Sequence, residues 1–144
     1  VARDELPKDT SAKIGGKIAS HHFAASRNRI NPELMTQAEY DELPPVKQIM
    51  VRDIPETGKK SLYVGSHASA IVGMPDDEAK QLIDELVAFA TAPERVYTHT
   101  WRANDVVLWD NRAVVHRGRP FARDKHARVM IRTTIAGDSP TVRV

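Results

Sequence analysis

The chain of 144 residues contains no cysteine. Disulfides, thiolate zinc sites, iron–sulfur clusters and cysteine nucleophiles are therefore excluded. Aromatic residues make up only 6%, too few for an array of base-stacking platforms. No apolar run approaches the roughly 18 residues that a helical membrane span requires, and no signal-peptide pattern opens the chain. HExxH and HxH motifs are absent, so the six histidines offer no zinc-type spacing. Adjacent His21 and His22 would point to opposite faces of a strand, which is poor chelating geometry.

What is present is a globular balance, 41% hydrophobic and 28% charged, at a size that can bury about two-thirds of its unfolded surface. A cytoplasmic domain is the expectation. The opening VARDE reads like the end of a helix, which suggests a piece of a longer chain. Net charge is only +2 but is unevenly spread. Residues 112–132 carry Arg112, Arg117, Arg119, Arg123, Lys125, Arg128 and Arg132 against the single acid Asp124. Such a local positive field attracts anions, whether carboxylates or nucleic-acid phosphates.

Periodicity predicts a helix over 76–91, with Ala79, Leu82, Ile83, Leu86 and Ala90 on one face and Asp76, Asp77 and Glu78 at its capped N-terminus. Shorter elements are expected as a helical stretch in 1–17 stopped by Gly15-Gly16, a strand at 18–24, a loop at 26–34 and a helix at 35–43. KQIMVRDI and SLYVGS read as a hairpin across Pro55-Glu56-Thr57-Gly58, with Gly58 available for positive φ. VYTHTW, DVVLWD, AVVHRG and ARVMIRTTI read as closely spaced strands after the helix. The pattern is mainly β with helices (α+β), an antiparallel sandwich or barrel rather than a βαβ fold.

Within VLWDNRAVVHRGR, a strand leads through the polar turn Asp110-Asn111-Arg112 to His116. Arg128 and Arg132, four apart in ARVMIRTT, would share one face of a strand, and each guanidinium can grip a carboxylate through two parallel hydrogen bonds. An imidazole beside two such clamps would suit a metal site for anionic substrates. A solvated basic strand is the alternative.

From Asp53 to Pro140 the sequence resembles the TauD/TfdA family of Fe(II)- and 2-oxoglutarate-dependent dioxygenases, and the likeness continues more weakly back to Leu6. It rests on ETGKKSLYVGSHAS, WRANDVVLWDNRAVVHRGR and ARVMIRTTIAGDSP. The SHAS and WDNRAVVHRGR segments are most similar to the 2,4-dichlorophenoxyacetate branch. The resemblance implies a double-stranded β-helix, or jelly roll, of which residues 1–144 would be the C-terminal portion of a single domain. It implies His116 as an iron ligand, Arg128 as the partner of the distal carboxylate of 2-oxoglutarate, and Arg132 and His67 as substrate contacts. Trp109, Asp110, Asn111 and Arg112 would surround and aim His116. Trp101 and Trp109 are expected in the core; His21, His22, His99 and His126 are expected to be structural or exposed. Arg117, Arg119 and Arg123 are expected to be solvated and to steer anions.

The family's HxD motif, source of the other two iron ligands, is missing: the triplets are HHF, HFA, HAS, HTW, HRG and HAR. By the family's order it would precede Val1. One imidazole does not hold Fe(II) against water, so the fragment alone is expected to be inactive and, with strand edges unpaired, to be unstable or to self-associate as a homo-oligomer. The expected partners of the parent are a small anionic acid and O2, with no nucleic acid and no membrane. The alternative function is a non-catalytic module that binds anions or nucleic acid through 112–132.

Overall fold

The computed structural model describes residues 2–31, 35–137 and 141–142. The elements in order are α1 (Lys8–Ile14), β1 (Ile18–His21), α2 (Phe23–Asn28), α3 (Gln37–Glu42), β2 (Val46–Ile49), β3 (Val51–Ile54), β4 (Lys59–Leu62), β5 (Ala68–Ile71) and α4 (Asp76–Ala90), followed by a 3₁₀ turn at Pro93–Arg95.

Two antiparallel sheets organise the first half. One has the order β2-β1-β5, with Ile18 opposite Ile49 and Ala19 opposite Ile71. The other is the β3-β4 hairpin, in which Val51 faces Leu62 and Ile54 faces Lys59. The expected turn joins them, and Gly58 adopts φ 66° there. KQIMVRDI is not one strand. It divides at Met50, whose side chain is fully buried. The Met50 N–H donates to the Lys17 carbonyl at 2.9 Å, and its carbonyl accepts from the Tyr63 N–H at 2.8 Å. One residue thereby ties the hairpin to the three-stranded sheet.

The long helix forms as its periodicity predicts. Ala79, Leu82, Ile83 and Leu86 are buried, packed with Ile14, Ala19, Met50, Val64, Ala68 and Ile71 in one core. The three N-terminal acids favour the helix dipole, but the cap position is Pro75, with no side-chain cap. The short α3 does have a capping box: the Glu39 N–H donates to Thr36 Oγ1 at 3.3 Å, and the Thr36 N–H to Glu39 Oε2 at 2.8 Å. Residues 23–28, expected as strand end and loop, are helical because β1 ends at an irregular register between Ser20 and His21 and Ala24 turns into the core.

The four strands expected after α4 do not form among the described residues. The alternating pattern survives without a ladder: Val106, Leu108, Val129 and Ile131 are 90–98% exposed. β-Propensity measures fit to a half-buried pleated surface rather than an intrinsic backbone preference. Here no neighbouring strand accepts the backbone groups of these segments. The described residues thus make a mixed α/β structure without a closed barrel. Trp101, expected in the core, is 41% exposed, and Trp109 is half-buried outside the core cluster. No described helix is long and apolar enough to cross a membrane.

Candidate functional site

His116 follows a tightly bonded turn. Asp110 Oδ1 accepts the Arg112 N–H at 2.8 Å, and the Asp110 carbonyl accepts the N–H groups of Ala113 and Val114 at 3.0 and 3.1 Å. The Arg112 guanidinium folds back on the Asp110 carboxylate at 2.8–3.1 Å, and reaches Glu56 Oε1 in the hairpin turn at 2.9 Å. These bonds hold the Asp110 and Glu56 carboxyls below their ordinary range and keep Arg112 protonated. Ser61 Oγ donates to the Arg112 carbonyl at 2.6 Å. Trp109 Nε1 donates to Asn111 Oδ1 at 2.8 Å, and its indole lies 4.7 Å from the His116 ring, centroid to centroid. Trp109, Asp110, Asn111 and Arg112 are thus a single assembly leading into His116, whose imidazole is exposed.

Arg128 lies beside this segment. A Cβ on Gly118 would stand 4.0 Å from an Arg128 guanidinium nitrogen. Arg128 lines a cavity of about 520 Å³ with Gly118, Arg119, Pro120, Phe121 and Arg123. Its guanidinium carbon is 5.5 Å from the Phe121 ring centroid, and that of Arg123 is 5.8 Å away. Cation–π contact holds both against one ring face or edge. No acidic residue is among the described residues that line the cavity, so its field favours anions. Arg119 and Arg123 are exposed, as expected, and line this open cavity together with Arg128. The charge surplus of 112–132 was the signal for them; Glu56 and Ser61 carried no such signal.

Arg132 does not line this cavity. Without a strand ladder the 128–132 segment lacks the pleat that would align the two guanidiniums, and Arg128 turns to Phe121. His67 is exposed and stacks on Phe23 at 5.6 Å. The His22 N–H donates to the His67 carbonyl at 2.8 Å. The His67 segment does approach the His116 segment, since a Cβ on Gly65 would stand 3.8 Å from Val115 Cγ1. No hydrogen bond or ring contact joins His67 to His116 among the described residues. His21 tilts against Tyr63 at 5.5 Å, and burial, then the neighbouring His67, holds its imidazole below its ordinary range. His99 bonds Asp105 at 2.9 Å.

The donor set limits what this chain holds alone. No three His, Asp or Glu side chains converge into a metal-binding cluster among the described residues. His116 fits one position of a facial triad, and the Arg128 cavity fits one carboxylate of a dicarboxylate. Neither makes a complete metal site.

Comparison with known proteins gives this arrangement its context. The family model "Taurine catabolism dioxygenase TauD, TfdA family" matches residues 2–134. An alpha-ketoglutarate-dependent 2,4-dichlorophenoxyacetate dioxygenase of Cupriavidus pinatubonensis is 38% identical over 98% of this chain and 48% of its own length. A (S)-phenoxypropionate/alpha-ketoglutarate-dioxygenase of Sphingobium herbicidovorans is 35% identical over 95% of this chain and 50% of its own length. The crystal structure of AAD-2 with Mn(II) and N-oxalylglycine superposes with a TM-score of 0.92 at 39% identity, over 99% of this chain and 56% of that one. The chain spans about half the length of the curated relatives it matches. The match over nearly its whole length establishes that the chain belongs to the TauD/TfdA family of dioxygenases.

Proposed function

We propose that this chain is the C-terminal portion of one Fe(II)- and 2-oxoglutarate-dependent dioxygenase domain, a double-stranded β-helix when complete. The proposed substrate is a small aryloxyalkanoate-type acid. The observation that carries the reading is the acid-free arginine cavity, built around Arg128 beside Gly118, two residues after His116. The family membership and the two relatives named for aryloxyalkanoate substrates support it.

In this reading His116 supplies one neutral imidazole to the metal, and the remaining ligands come from outside this chain. Iron so held would supply the activation of O2, with 2-oxoglutarate oxidatively decarboxylated to succinate and CO2. Arg128 would clamp the distal carboxylate of 2-oxoglutarate by paired, charge-assisted hydrogen bonds, with Arg119 and Arg123 adding positive field. N-Oxalylglycine, bound in the AAD-2 crystal, has the 2-oxoglutarate skeleton with NH in place of a methylene. Arg132 and His67 would contact the acidic substrate. The Trp109 ring, tilted by 50° at 4.7 Å from the imidazole, would shield one side of it.

Hydroxylation at the carbon next to an ether oxygen gives a hemiacetal, which collapses to a phenol and an oxo-acid. The test incubates the full-length protein with Fe(II), 2-oxoglutarate, O2 and 2,4-dichlorophenoxyacetate. Succinate and the phenol should accumulate in equal amounts, and His116→Ala should stop both. Failure of the full-length protein to consume 2-oxoglutarate with any aryloxyalkanoate would sink the substrate class. Full activity in His116→Ala would sink the site.

A further inference from the structure

We infer that Glu56 and Ser61, on the β3–β4 hairpin, are positioning residues for His116. The inference rests on the proposed metal-ligand role of His116 and deepens it.

The difficulty that His116 presents is mechanical. It is exposed, in a segment with no strand ladder among the described residues, yet a metal ligand must be held in a narrow range of position and orientation. Bonds within the 109–114 turn give that turn a shape but not a place in the molecule. Its place comes from two long-range hydrogen bonds. The Arg112 guanidinium donates to Glu56, 56 residues away. Ser61 Oγ donates to the Arg112 carbonyl, 51 residues away. One bond holds the side chain of Arg112 and the other its backbone.

The two anchors belong to one hairpin. Ser61 is 2% exposed and is the one buried polar side chain among the described residues outside the core's apolar set. A buried hydroxyl needs a partner, and the Arg112 carbonyl is the acceptor this one donates to. Glu56 stands in the hairpin turn, where Thr57 and Gly58 donate backbone bonds to Ile54 and Pro55. The hairpin is fastened to the core by Val51, Ile54 and the Met50 backbone. Arg112 is divided between anchors: Nη1 serves Glu56, while Nε and Nη2 serve Asp110. Its planar fork makes the two bonds rigid with respect to each other, a geometry that lysine does not reproduce. The path runs from core to hairpin, to Arg112, to the Asp110 turn, and so to His116.

The test uses the full-length protein and reads Mn(II) affinity by calorimetry, with amide exchange at Ala113 and Val114. The Glu56–Arg112 pair is exposed and acts on His116 only through the turn, so Glu56→Ala should weaken Mn(II) binding about two- to fivefold and speed exchange at both amides. At saturating metal it should leave the KM for 2-oxoglutarate unchanged. Glu56→Gln keeps an acceptor oxygen and should restore most of the affinity. Arg112→Lys should behave like Glu56→Ala. Lys60→Ala, which breaks the exposed hairpin pair with Asp53 at 2.5 Å, should change nothing.

Unchanged Mn(II) affinity in Glu56→Ala overturns the inference. So does a lower Tm accompanied by equal losses in metal affinity and 2-oxoglutarate KM in both Glu56 variants, which would mark a general folding role. If Glu56→Ala does not fold, Glu56→Gln and Arg112→Lys carry the same comparison. His116→Ala separates the two levels. Loss of Mn(II) binding there with none in Glu56→Ala overturns only the positioning role, whereas retained binding in His116→Ala overturns the site reading beneath it.

Discussion

The Trp109 indole and the His116 imidazole meet at 4.7 Å between centroids, tilted by 50°. The indole is not free to drift, because its N–H is held by Asn111. The same turn that leads into His116 therefore also sets the wall against which the ring rests. An aromatic pair contributes about 0.5–1.5 kcal/mol beyond area burial, so Trp109→Ala should weaken Mn(II) binding by the full-length protein about 2- to 10-fold. Trp109→Phe keeps a ring and should lose less. Calorimetric titration of the two variants beside the wild type decides this, and equal affinity in all three would remove Trp109 from the site.

The Arg128 cavity makes a sharper prediction. Charge-assisted hydrogen bonds contribute about 1.5–3 kcal/mol each, so Arg128→Ala should raise the KM for 2-oxoglutarate at least roughly tenfold. Arg128→Lys keeps the charge but loses the fork and should fall between. Arg119→Ala and Arg123→Ala should shift KM less and do so mainly at low salt, because field at a distance is screened. Initial rates across 2-oxoglutarate and salt concentrations check the ordering. A KM unchanged in Arg128→Ala would show that the cavity binds another anion.

These two examples show what the sequence could and could not reveal. His116, Arg128 and the Trp109–Arg112 turn were named from the sequence by resemblance, and the structure brings that turn against His116 through the Trp109 ring. The helix at 76–90 was legible because Leu82, Ile83 and Leu86 follow a helical period on their own. Glu56 and Ser61 were not legible as site residues. Their link to Arg112 crosses more than 50 residues, and neither residue type is distinctive in a hairpin. The strand pattern of Val106-Leu108 and Val129-Ile131 was real, but a strand also needs a neighbour, and alternation says nothing about whether one is present. The short α2 was missed for a related reason: its six residues carry too little period to separate a helix from a strand end.

Stability should depend on pH through His21. Burial, with His67 close by, holds the His21 imidazole below 6.5 in the folded chain. The unfolded chain therefore takes up a proton first as pH falls, so stability rises with pH and is lost on descending through about pH 6.5. The carboxyls held low, among them Glu56, Asp105 and Asp110, act only near and below their own ordinary values of 3.8–4.5. The window of roughly pH 5.5–7.5 thus isolates the histidine effect. Urea midpoints should rise with pH across that window in the wild type and rise less steeply in His21→Gln. Identical slopes would assign the dependence to other groups.

The most exposed part of the chain predicts its behaviour in isolation. Val106, Leu108, Val129, Ile131 and Ile135 are each 88–98% exposed, and the first four keep the every-other-residue spacing of a strand face. Covering a side chain of this size contributes about 1.5–3 kcal/mol, and unpaired extended backbone is itself a template for association. The longer relatives have about as much chain again beyond the matched part, which is available to cover such a face; here a second copy is the alternative cover. The 144-residue chain should therefore sediment as a concentration-dependent oligomer. Val129→Thr and Ile131→Thr keep β-branching while adding a hydroxyl, and each should weaken association roughly tenfold. The full-length protein should show neither the effect of these substitutions on sedimentation nor strong binding of a hydrophobic dye. Monomeric sedimentation of the isolated chain at every concentration would refute the prediction.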